Sequence, residues 1–205
     1  MGFGILRRIA GRSMDDAAEP STSGSPPRFL PDVPLPPYSY VTGRYPHPLR
    51  DPAGHSFGVA PEPCPPPDAE RWRECRPYLH GVDLFNHGYY WEAHEAWEPA
   101  WHAAGRRGTT ADFLKALIKL AAAGVKAREG MPDGVRSHAR RGAELFRAVI
   151  ASLASSQTSF FGLELAPLVA AAEAIERSAA KEALWSGKPS EKAFALVLLP
   201  SFDRP

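Results

Sequence analysis

Residues 85–101 read FNHGYYWEAHEAWEPAW, and this stretch decides the fold. Asn86-His87-Gly88 is a stop: a polar, turn-forming triplet that ends whatever helix precedes it. Beyond it, at about 100° per residue, Tyr90, Ala93, Trp97, Ala100 and Trp101 fall on one arc, too apolar and too aromatic for a solvated face. The spacing predicts a helix from about Tyr89 to Ala103, bent at Pro99 and ended by Gly105–Gly108.

The same period extends in both directions. Upstream, Trp72, Cys75, Leu79, Val82 and Phe85 recur every three or four residues, with a kink at Pro77 and Gly81 and an N-cap at Asp68. Downstream, Thr109-Thr110-Ala111-Asp112 resembles a capping box. The helix it opens is carried to about Arg128 by Phe113, Leu114, Leu117, Ile118, Leu120, Ala121 and Val125. A turn at Gly130–Asp133 opens a fourth helix to about Leu153, with Val135, Ala139, Leu145, Phe146, Val149 and Ile150 inward. A fifth follows Pro167, runs through Val169, Ala172, Ile175, Ala179 and Leu184, and closes at Gly187. No strand or hairpin signal interrupts the series, so the expected class is all-α: a short array or bundle of about five helices.

Composition sets the boundaries. The chain has 205 residues and a net charge of +1, so no global field draws it to nucleic acid or an anionic membrane. Of 22 prolines, 16 lie at or before residue 77. Residues 1–27 read as a flexible leader. Residues 28–67 are equally rich in proline but carry Phe29, Leu30, Leu35, Tyr38, Tyr40, Val41, Tyr45 and Phe57, too apolar for a free tail, and are expected to form an extended arm packed on the core. Residues 68–187 are the helical domain. Residues 188–205, with Phe194–Leu199 (FALVLL) and, just before them, Trp185, are expected to cover the core as a strap. Two cysteines eleven apart fit neither a zinc-finger pair nor a disulfide scaffold, and no apolar run approaches the roughly 18 residues of a membrane helix. A cytoplasmic protein is the expectation.

Two turns resemble each other. Asn86–Ala93, with Trp97 and Ala100 beyond, is similar to the turn and second helix of a tetratricopeptide hairpin, and Glu129–Ala139 echoes it. The whole stretch Phe85–Trp101 resembles the bacterial and archaeal family known as domain of unknown function 309. Its signature is a Phe-Asn-x-Gly turn followed by Tyr or Phe, Glu, His-Glu, and a later Glu and Trp. The likeness continues through Phe113–Ala121 and Arg128-Glu129-Gly130 and covers about residues 70–150. It implies a small all-helical fold and carries the label of a metal-dependent hydrolase. Two positions depart from the pattern: Lys126 stands where the third helix commonly carries His, and Met131 where Asn often follows the turn glycine.

His94 and Glu98 sit one turn apart at the edge of the apolar arc, with Glu95 and then Glu92 further round toward solvent. An imidazole and a carboxylate at i and i+4 share one ion in zincin-type helices, and a neighbouring Glu95 or Glu92 is placed to act as base. A divalent transition metal is therefore the candidate cofactor, with a small molecule as substrate. The further ligand must come from elsewhere: His87 at the turn, His138 on the fourth helix, or His47 and His55 on the arm. The competing reading is a packed, hydrogen-bonded core histidine beside a solvated acidic face. Gly54-His55-Ser56-Phe57-Gly58 sets His beside Ser, but an extended backbone splays adjacent side chains apart and excludes a dyad.

Between Gly105 and Arg147 ten basic residues face four acidic ones. Lys115, Lys119 and Lys126 fall on one stripe, and Arg136, Arg140 and Arg147 repeat their spacing on the next helix. These stripes are ordinary solvated surface, or the lysines face and neutralise Glu92, Glu95 and Glu98, or both stripes line a groove for a phosphate-bearing or acidic partner, bound through Lys115, Lys119, Lys126 and Arg140. The alternative function is thus a tetratricopeptide-like module for partner binding or homo-oligomerisation. Nucleic acid is disfavoured, because the aromatics accompany the acidic helix.

Overall fold

The computed structural model describes residues 25–60, 63–179 and 192–201. Most of the leader, together with Leu184, Trp185 and Gly187, lies outside the described residues. Within them, a single 3-10 turn at Trp72–Glu74 precedes α1 (Arg76–Asn86), α2 (Tyr90–Ala103), α3 (Thr109–Arg128) and α4 (Pro132–Ser152). A two-strand hairpin, β1 (Ser159–Phe160) and β2 (Leu163–Glu164), leads into α5 (Leu165–Ser178). Each helix packs on its sequence neighbours. Three-residue links, His87–Tyr89 and Glu129–Met131, force the chain to double back, which makes the core a helical array.

The core is continuous. Tyr78, Tyr90, Trp97, Phe113, Phe146 and Phe161 are all essentially inaccessible to solvent. Close helix approach depends on glycines. A Cβ at Gly124 would lie 2.4 Å from the Tyr90 ring, and one at Gly81 would lie 2.2 Å from the Trp97 indole nitrogen. The Trp97 N–H meanwhile donates to the Tyr78 carbonyl at 3.0 Å, so the ring occupies the space Gly81 leaves open.

Several local expectations are corrected. Pro77 does not kink a long helix but sits in the first turn of α1, where its missing N–H leaves no helix bond unmade. Asp68 accepts from the Glu70 N–H at 2.9 Å and so caps a turn, not a helix. Thr109 is the first residue of α3 rather than its cap, and its hydroxyl pairs with that of Ser152 at 3.0 Å. Ile150, expected inward, is exposed.

The hairpin was not foreseen. It pairs Phe160 with Leu163 across a two-residue turn, Phe161-Gly162, with φ of 51° and 74°. Left-handed backbone suits glycine and strains phenylalanine. Here burial overrides the strain: Phe161 stacks on Phe113 with centroids 5.2 Å apart, and the Tyr78 hydroxyl donates to its carbonyl at 2.7 Å.

The proline-rich arm has turns but no helix or strand over residues 25–60. Leu30 and Val41 are buried, and polar contacts described below tie the arm to α1 and α2. At the other end of the chain, Asn86 holds the strap by both amide atoms. Its Oδ1 accepts from the Leu198 N–H and its Nδ2 donates to the Leu198 carbonyl, each at 2.7 Å. Residues 192–201 thus return to α1, with Leu198 fully buried.

Candidate functional site

Helix α2 presents two different faces. On one, His94, Glu95 and Glu98 each offer a ligand atom, and these atoms lie within 4.8 Å of one another. All three are half-buried. His94 Nδ1 is 3.4 Å from Glu95 Oε1. Pro99, inside α2, lacks the N–H that would bond the Glu95 carbonyl, so the backbone here is also less than fully paired. One imidazole and two carboxylates form a mixed nitrogen and oxygen donor set suited to zinc, manganese or iron.

Glu92, expected to point toward solvent, belongs to the other face and is only 5 % exposed. The arm covers it. Glu92 Oε1 accepts from the Tyr40 N–H at 2.7 Å, and Oε2 accepts from the Ser39 hydroxyl at 3.3 Å. His55 Nε2 approaches Oε1 at 3.3 Å, and His55 Nδ1 lies 2.8 Å from Ser56 Oγ. Because a carboxylate accepts, Nε2 donates to Glu92, while Nδ1 is paired with the Ser56 hydroxyl. The expectation that Ser56 and His55 diverge is therefore overturned: residues 51–58 are a run of turns, not an extended strand, and turns bring neighbouring side chains together. Arg128, almost wholly buried beneath the Tyr90 ring at 5.2 Å, contributes positive charge to this interior.

The arm histidines consequently go to Glu92 and its surroundings rather than to His94 and Glu98. His47 packs edge-on against Trp91 at 5.4 Å and tilts on Tyr40 at 5.1 Å. His87 caps α1, its Nδ1 2.8 Å from the Asp83 carbonyl oxygen. None of His47, His55 or His87 joins His94, Glu95 and Glu98 at ligand spacing among the described residues. The arm fastens to α1 at a second point, where the fully buried Asp83 accepts from Arg28 Nε at 3.0 Å, from the Phe29 N–H at 2.8 Å and from the Leu30 N–H at 2.9 Å.

The basic stripes separate into paired and unpaired members. Lys126 bonds Glu129 at 2.6 Å, Arg140 bonds Glu176 at 2.8 Å, and Arg136 and Arg147 pair with Asp133 and Glu173. Lys115 lies over the Trp101 ring at 5.2 Å. Lys119 has no carboxylate within ion-pair distance among the described residues. Burial first, then Lys115 and Arg141, push its ammonium below the ordinary lysine range. His138 is likewise pushed down by burial, and further by Lys119, Lys126 and His94.

Sequence reasoning missed Asp83 and Ser39 and read Asn86 only as a stop. Their partners lie about fifty residues away for the first two and 112 for Asn86, so no local pattern exposes them.

No curated protein matches the chain. Residues 78–138, from α1 into α4, are similar to the family described as Domain of unknown function (DUF309).

Proposed function

We propose that the chain is a metal-dependent hydrolase whose cation is held by His94, Glu95 and Glu98. The observation that supports this reading is their convergence, three donor atoms within 4.8 Å on a half-buried face of α2. A divalent ion bound there would supply Lewis acidity and an acidified water. The protein's own part is positional. The i, i+4 spacing aims His94 and Glu98 the same way, while Glu95, beside His94, serves as third ligand or as the base that takes the water's proton. Glu92 is not available for that proton, because three polar groups of the arm already occupy it.

The test is metal analysis of untagged protein, followed by thermal melting with zinc, manganese or iron added in excess. Ligand at about 100 times its dissociation constant stabilises by about 2.7 kcal/mol, which for a chain of this size raises Tm by about 5–10 °C. His94→Ala and Glu98→Gln should abolish the rise. Metal-free protein whose Tm ignores all three ions sinks the proposal.

The alternative, a partner-binding module using Lys115, Lys119, Lys126 and Arg140, has less support. Lys126 and Arg140 are already paired with acids of the same chain and Lys115 lies over an aromatic ring, so of the four only Lys119 has no such partner among the described residues.

A further inference from the structure

We propose that the cleft where Lys119 of α3 meets the Arg136–Glu144 stretch of α4 binds a small phosphate-bearing molecule. This goes beyond the metal reading and does not depend on it. The cleft has a volume of about 520 Å³, and it is lined by Lys119, Arg136, Ser137, His138, Arg140 and Arg141 together with the acids Asp133 and Glu144. That volume lies within the range of ordinary ligand sites.

Charge selects the ligand. Lys119 is half-buried beside two like charges and lacks an acidic partner among the described residues, so the cleft holds a cation that an incoming anion would relieve. Arg140 and Arg141 each spend one edge on Glu176 and Glu144, at 2.8 Å. A guanidinium has five N–H donors, so both retain others for a second acceptor. His138 and Ser137 add uncharged polar groups on the same helix. Several forked and point donors converging on one place match the three oxygens of a phosphoryl group better than the two of a carboxylate.

Size and lining exclude a polymer. Asp133 and Glu144 stand on the wall and repel any polyanion that runs past the cleft. No Phe, Tyr or Trp lines it to stack a base, which separates it from the platforms that hold single-stranded nucleic acid.

Pyrophosphate is the probe, titrated calorimetrically into the full chain at fixed ionic strength. Saturable one-to-one binding is expected. Lys119→Gln should weaken it about tenfold, the cost of one charge-assisted contact. Arg141→Gln, at a residue half exposed and remote from the core, gives a second variant whose folding is not at risk. Absence of saturable binding overturns the proposal, as does binding that survives both substitutions. A single-stranded RNA oligomer that binds more tightly through the same residues overturns the restriction to small molecules. Because the readout involves no metal, failure here leaves the His94 reading standing, and failure of that reading leaves this one.

Discussion

Asp83→Asn is the sharpest probe of how the arm is held. The carboxylate is fully buried and accepts three hydrogen bonds, from Phe29 N at Oδ1 and from Leu30 N and Arg28 Nε at Oδ2. The amide is nearly isosteric, and its oxygen still accepts from Phe29. Its NH2 group, however, replaces Oδ2 and meets two donors with a donor. The charge-assisted bond to Arg28 is worth about 2 kcal/mol, and the buried Leu30 N–H, left facing the amide, costs about 1 kcal/mol more. Arg28 is 21 % exposed, so solvent takes little of that value away. A total near 3 kcal/mol lowers Tm by about 6–12 °C if the arm and the helices unfold together. Hydrogen exchange followed by mass spectrometry decides whether they do. Amides over residues 28–41 should lose protection in Asp83→Asn while those of α3 retain theirs, because the Glu92 attachment holds only the far end of that segment. Unchanged protection over residues 28–41, with Tm within about 1 °C of the parent, would refute the assignment of Asp83 as an anchor.

Three further outcomes follow from other parts of the structure. Asn86→Ala leaves the Leu198 N–H and carbonyl unpaired in the interior; it should cost about 2 kcal/mol and make the segment at 192–201 a site of early cleavage in limited proteolysis. Gly124→Ala drives a methyl into the Tyr90 ring, and overpacking of this kind should lower stability by about 1–3 kcal/mol in urea titration, whereas Ala122→Gly, about 200° round the same helix, should cost only about 1 kcal/mol. His80 is pushed below the ordinary imidazole value by burial first and by Arg28 and Arg76 next, against the pull of Asp83. The unfolded chain therefore takes up this proton before the folded one does, and stability falls as pH drops below about 6.5; His80→Gln should melt with a shallower dependence over that range.

The helices were legible because each carries its own evidence. Tyr90, Ala93, Trp97 and Ala100 repeat at helical spacing whether or not anything else is known, and all four are buried. The pairing of His94 with Glu98 was legible for the same reason, since i and i+4 share a face in any helix. Glu92 marks where such reasoning stops. A helical wheel places it toward solvent relative to its own helix, and that placement holds only until another part of the chain covers it. The covering segment is the arm, fifty-two residues upstream at Tyr40, and no periodicity within α2 records its arrival. The arm histidines were misassigned through the mirror of this error. His47 and His55 lacked a packing reason in the sequence because their partners, Trp91 and Glu92, were counted as helix surface. Once the arm lies on α2, those histidines are spent on holding it. On the proposed metal reading, the donor beside His94 and Glu98 would be Glu95 of the same helix, whose ligand atom lies within 4.8 Å of theirs, rather than a histidine of the arm.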